Sequence, residues 1–79
     1  MNNSQNLEQS VRKSLEEYFR QLGDETPENI WQMVAHCVEK ATLETVMQKA
    51  DGNQTKAAAM LGMTRTTLRK KLLNHQLSK

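Results

Sequence analysis

The stretch from Gly52 to His75, GNQTKAAAMLGMTRTTLRKKLLNH, restricts the possible folds of this chain more than any other. Two short helical runs flank a tight turn at Gly62 to Thr64, and the second run concentrates four of the chain's eleven cationic side chains with no acidic one, the pattern of a helix-turn-helix. Asn53 is placed to cap the first run, Gln54 to Leu61, and Thr64 to cap the second, Arg65 to His75. The helices of such a motif cross closely, so a small residue must face the second helix and a glycine must sit where the chain reverses. Ala58 and Gly62, four residues apart, meet those needs, with Met63 and Leu68 as the apolar plug. With Leu68 at zero on a helical wheel, Leu72 and His75 fall within about 40°, whereas Thr66, Arg69, Lys70 and Leu73 fall about 100° to 160° away. One face docks and the other looks outward. A run of about eight residues cannot hold its helix alone, so the preceding residues must support it.

Those residues read as two longer helices. Leu7, Val11, Leu15, Tyr18, Phe19 and Leu22 keep three-and-four spacing, which predicts a first helix ending at Gly23, with residues 1–6 frayed ahead of it. Thr26-Pro27-Glu28 predicts a sharp second start: Thr26 caps, Pro27 takes the first helical position and Glu28 faces the positive end of the dipole. An apolar stripe then runs from Ile30 to Ala50 and stops at Gly52, which predicts a rod of roughly 36 Å at about 1.5 Å per residue. Adjacent apolar pairs such as Ile30/Trp31, Met33/Val34 and Cys37/Val38 make the stripe too wide for one partner helix. Two chains pairing through Val11, Leu15, Phe19, Ile30, Val34, Cys37, Val38 and Ala41 would form a four-helix bundle. The alternative is a monomer whose C-terminal helices fold back over the rod. The expected fold class is therefore all-α, four helices per chain, with residues 1–79 as one domain: 7–51 for dimerisation and 52–79 for the helix-turn-helix.

Composition narrows the function classes. A chain of 79 residues buries only roughly 60 % of its unfolded surface, so dimerisation is a natural source of stability. Cys37 is the single cysteine and is expected to pack, as are Met33, Met47, Met60 and Met63. His36 and Cys37 are adjacent, so they point about 100° apart, and no second ligand pair lies four residues on; a structural histidine beside a buried thiol is expected and no metal. No run approaches the roughly 20 apolar residues of a membrane span, and the N-terminus lacks signal-peptide character, so no membrane partner and a cytoplasmic location are expected. Without a carboxylate pair, a nucleophile with its base or a phosphate-binding glycine loop, neither enzyme activity, cofactor nor small-molecule substrate is expected.

Charge points to a polyanion. Residues 1–50 carry five cationic and eight anionic side chains, a net of −3, whereas residues 51–79 carry six against Asp51 alone, a net of +5. A basic end on an acidic body suits double-stranded DNA; a helical protein-interaction module whose basic helix docks on an acidic partner is the alternative. Arginine's planar fork can take O6 and N7 of guanine together, while lysine suits phosphate as a point charge. Arg65, in the first turn of the second run, is thus the candidate base reader. Arg69 and Lys70 are candidate groove or phosphate contacts, and Lys71 a phosphate contact. Asn53, Gln54 and Thr55 offer donors to a phosphate oxygen.

With Gly52 to Ala58 (GNQTKAA), Leu61-Gly62 and Arg65 to Leu72 (RTTLRKKL) laid out, and weaker similarity through SVRKSLEEYFRQL (Ser10 to Leu22), the chain resembles the Factor for Inversion Stimulation (Fis) family of bacterial nucleoid-associated proteins over about 70 residues. The resemblance implies an intertwined homodimer with a central four-helix bundle and two helix-turn-helix units set closer than one turn of straight DNA, so that degenerate sites are bent. It implies DNA contacts at Asn53, Thr55, Arg65, Thr67, Arg69, Lys70 and Lys71, with Arg65 as the guanine reader, and a role in transcription regulation at the nucleoid. Thr64 stands where the family often has Asn, Leu73 and Asn74 where it often continues with lysines, and Ala41 where Pro is common. Only about nine residues precede the family-like stretch that begins at Ser10, where the best-known members have a longer arm, so no invertase activation is expected.

Overall fold

The computed structural model describes residues 3–77 and builds them into four helices: α1 (Asn3–Leu22), α2 (Ile30–Lys49), α3 (Gln54–Leu61) and α4 (Arg65–Asn74). Among the described residues there is no strand, and no helix is long and apolar enough to cross a membrane. Met1, Asn2, Ser78 and Lys79 lie outside the described residues. The chain divides between Ile30 and Trp31 into two units.

The first unit holds α1. It begins earlier than its apolar spacing requires, at Asn3, since adding residues to an existing helix avoids the cost of nucleation. Exposed pairs one turn apart line its polar side: Arg12 donates to Glu8 at 3.3 Å, and Arg20 and Gln21 both donate to Glu17. Such pairs contribute about 0.3–0.5 kcal/mol each. None of its residues is buried; Leu7 is 58 % and Phe19 46 % exposed, the latter edge-on to Tyr18 with ring centroids 5.5 Å apart. Gly23 closes the helix at φ 65°, donating to the Phe19 carbonyl, as the sequence leads one to expect.

The start of α2 departs from expectation. Thr26, Pro27 and Glu28 are not helical, and the helix begins at Ile30, so it has 20 residues and a length of about 30 Å rather than the 24 expected from the cap signals. Asn29 is the physical reason. It adopts φ 53°, in the left-handed region that asparagine tolerates, and a right-handed helix cannot run through it. The other end also closes early. Asp51, at φ 55°, donates to Gln48, and Gly52 reaches back to Met47 at 2.9 Å, so the paired bonds that terminate the helix centre on Asp51 with Gly52 just beyond.

The core of the second unit joins the last half of α2 to α3 and α4. Leu43, Ala50, Ala57, Ala58, Leu68 and Leu72 are buried, and Val46, Met47, Leu61, Met63 and Leu77 pack against them. The C-terminal helices thus do fold back on the rod, with the buried core confined to its second half and polar contacts reaching as far as Glu39 and His36. On its first half, Trp31 is 83 % and Val38 37 % exposed, and Ala41, just past the midpoint, is exposed too. Cys37 and His36, expected beside each other in a packed setting, are both exposed in the single chain; the His75 ring approaches His36 without burying it, and Cys37 belongs to the face expected to meet a second chain. Met60, also expected to fill core, is 53 % exposed; it falls outside the arc of α3 that Ala57, Leu61 and Ala58 share.

Candidate nucleic-acid interface

The helix-turn-helix is built by local chemistry. Asn53 caps α3, its side-chain oxygen accepting from the Lys56 amide at 3.0 Å. Gly62 ends that helix at φ 76° and donates to Ala59, while the Met63 amide reaches Ala58 at 3.0 Å; this closure turns the chain within three residues. Thr64 caps α4, accepting from the Thr67 amide at 3.2 Å and donating to the Thr67 hydroxyl at 3.0 Å. Beyond α4, Gln76 takes φ 57° and the Leu77 amide returns to Leu72 at 2.8 Å, which seats Leu77 on the core.

The close approach of α3 and α4 rests on two alanines, not one. Ala57 is fully buried and Ala58 is 4 % exposed, facing Leu68 and Leu72 at 0 % and 1 %. Sequence reasoning singled out Ala58 and missed Ala57, although three successive alanines signal that either could face the crossing. With Leu68 and Leu72 turned inward, Arg65, Thr66, Thr67, Arg69, Lys70 and Leu73 are all exposed. Asn53 and Thr55, at the start of α3, are exposed as well. Asn53 spends only its oxygen on the cap; its amide donors stay available to an oxyanion.

Lys71 is placed differently from the other cations of α4. It stands on the flank of the docking face, and its ammonium lies 2.9 Å from one oxygen of Glu39 on α2. The other oxygen of Glu39 lies 2.7 Å from Nε2 of His75. A carboxylate only accepts, so this ring carries a proton on Nε2. These two donors, Lys71 before His75, hold the Glu39 carboxyl below the usual carboxylate range. His75 is 9 % exposed, with Nδ1 buried and unpaired, and its ring centroid lies 4.5 Å from that of His36. Glu39 was absent from the sequence-based candidates because 32 and 36 residues separate it from its partners. A signal existed: it sits four residues before Leu43, on the face of α2 that turns toward the core.

Comparison with known proteins agrees with this architecture. Residues 37–74 match the family model described as bacterial regulatory protein, Fis family. The chain is 48 % identical over 71 residues to a putative Fis-like DNA-binding protein of Neisseria meningitidis serogroup A, covering 90 % of each. It is also 48 % identical to one from Ralstonia nicotianae, covering 90 % of this chain and 92 % of that one. With the DNA-binding protein Fis of Actinobacillus succinogenes it shares 46 % identity over 72 residues, 91 % of this chain and 73 % of the relative.

Proposed function

The chain belongs to the Fis family of bacterial regulatory proteins, and we propose that this DNA-binding regulator acts as a homodimer that bends its site, by binding and not by catalysis. The exposed side of α4 carries the reading: with Leu68 and Leu72 buried, Arg65, Arg69 and Lys70 are left facing solvent around one end and side of a short helix. Arg65, in the first turn, is the side chain whose fork reads a guanine in the major groove. Arg69, Lys70 and Thr67 flank it, and Asn53 and Thr55 bring α3 to a phosphate. Lys71 belongs to the same basic helix, but Glu39 engages it in the free protein.

Pairing follows from the faces that a single chain leaves open. Phe19, Trp31, Val38 and Leu7 are large, apolar and exposed, and Val11, Leu15, Ile30 and Val34 are only half-buried. Residues 7–51 of two chains, covering one another, would remove these surfaces from water and fix the separation of two α4 helices within one domain of 79 residues per chain. Two readers set closer than one turn of straight DNA require the duplex to curve. The protein then works on the bacterial chromosome in the cytoplasm, at sites chosen by a few base contacts and by deformability.

The test compares Arg65→Ala and Lys70→Ala on a selected site and on random duplex at equal salt. Arg65→Ala is expected to lose about 1–3 kcal/mol of discrimination, a preference of roughly 5- to 150-fold, whereas Lys70→Ala weakens both duplexes alike. Equal, small losses from both variants on both duplexes would refute the assignment of α4 to the groove.

A further inference from the structure

Among the four cations of α4, Lys71 alone is turned toward α2. Its side chain is 34 % exposed and its ammonium sits 2.9 Å from Glu39, while Arg65, Arg69 and Lys70 are exposed. Glu39 cannot follow Lys71 outward. One of its oxygens is held at 2.7 Å by His75, whose side chain is only 4 % exposed and lies on the docking face with Leu68 and Leu72. The carboxylate is therefore anchored at the inner end by a buried ring and presents its second oxygen to the lysine. For Lys71 to reach a phosphate it must leave this anchored partner, so the DNA backbone and Glu39 compete for one cation.

We propose that Glu39 is a positioning residue for DNA binding: by holding Lys71 against α2 it withholds one positive charge per chain from the phosphates and so limits sequence-indifferent affinity. The inference rests on α4 being the DNA-facing helix. Affinity for random duplex depends almost wholly on neutralised phosphates, whereas preference depends on base contacts. Withholding one lysine thus lowers the background against which Arg65 discriminates. A phosphate contact adds about 0.9 to the salt slope, so an engaged Lys71 leaves the slope short by about 0.9 per chain, equivalent to a ~3-fold difference in affinity loss between 50 and 200 mM salt.

The test measures random-duplex binding by fluorescence anisotropy across a salt series for the wild type, Glu39→Gln, Lys71→Gln and the double variant. Glutamine keeps the shape of Glu39 and an acceptor for His75 but not the charge that retains Lys71. Glu39→Gln is expected to steepen the slope by about 0.9 per chain and to raise low-salt affinity, and adding Lys71→Gln returns the slope to the wild-type value. Lys71→Gln alone is expected to leave the slope unchanged, and this arm keeps Glu39 and its bond to His75 intact. A fall of about 0.9 per chain from Lys71→Gln alone would overturn the proposal, since Lys71 would then already be on a phosphate. So would a Glu39→Gln protein that binds more weakly and is not restored by the second change, the behaviour of a purely structural residue. Arg65→Ala, measured in the same series on a selected site, separates the premise: if it retains full preference, α4 is not the reader and the premise fails, whatever Lys71 does.

Discussion

Replacing Leu68 by alanine removes a side chain with no exposed surface from the crossing of α3, α4 and the end of α2. Two of the residues packed with it, Ala57 and Ala58, end in methyl groups and cannot extend into the space left behind. Collapse of the void is thereby restricted, which places the cost in the middle or upper part of the range for such truncations, about 3–4 kcal/mol. A 79-residue chain has a total of roughly 4–12 kcal/mol, so this one substitution removes at least a quarter of it. Leu73→Ala is the matched control: the same truncation on the same helix, at a position 60 % exposed, is expected to cost less than about 0.5 kcal/mol. Urea unfolding followed by circular dichroism at one chain concentration checks both, with the Leu68→Ala midpoint lower by on the order of 1–3 M and that of Leu73→Ala nearly unchanged. Comparable shifts for the two variants would mean that α4 does not dock through its Leu68 face, and the outward placement of Arg69 and Lys70 would fall with it.

Other perturbations test the turn and the Glu39 contact. Thr64→Ala loses the acceptor of the Thr67 amide and should cost about 1 kcal/mol in thermal unfolding, whereas Thr64→Asn should stay near the wild type because asparagine caps equally well. Gly62→Ala is expected to cost about 1–2 kcal/mol purely through its φ of 76°, since a Cβ there meets nothing within 4 Å; Gly62→Asn should recover part of the loss. Glu39 has its pKa lowered by Lys71 and His75, so its contribution to stability is present above its ordinary titration range and is lost as pH falls through the lowered value. Melting temperatures taken from neutral to strongly acid pH should therefore show a steeper acid decline for the wild type than for Glu39→Gln.

How far the sequence could be read depended on how local each cause is. Asn53, Gly62 and Thr64 were legible because a cap or a reversal is decided within four residues. The docking face of α4 was legible for a similar reason: Leu68, Leu72 and His75 share a period, and periodicity survives any tertiary setting. The start of α2 misled because Thr26, Pro27 and Glu28 carry strong helix-start chemistry, yet the left-handed backbone at Asn29 overrode it, and no residue type announces φ 53° unaided. Cys37 and His36 are exposed in the single chain because the stripe that carries them has two sides, and the α3 and α4 core docks only along the side that Leu43 and Ala50 share. The pairing of Glu39 with Lys71 and His75 was not legible because it joins residues more than 30 apart, although the spacing of Glu39 to Leu43 did mark its face of α2. It gives Lys71 a partner, Glu39, that charge counting along the chain does not reveal.

The most direct test of a DNA-bending homodimer joins two readings on one sample: the mass of the protein in solution, and the mobility of its complex with fragments carrying one site at different distances from the end. The expected result is a particle of twice the 9.1 kDa chain mass whose complexes migrate most slowly when the site is central. A 9.1 kDa particle, or mobility independent of site position, would contradict it.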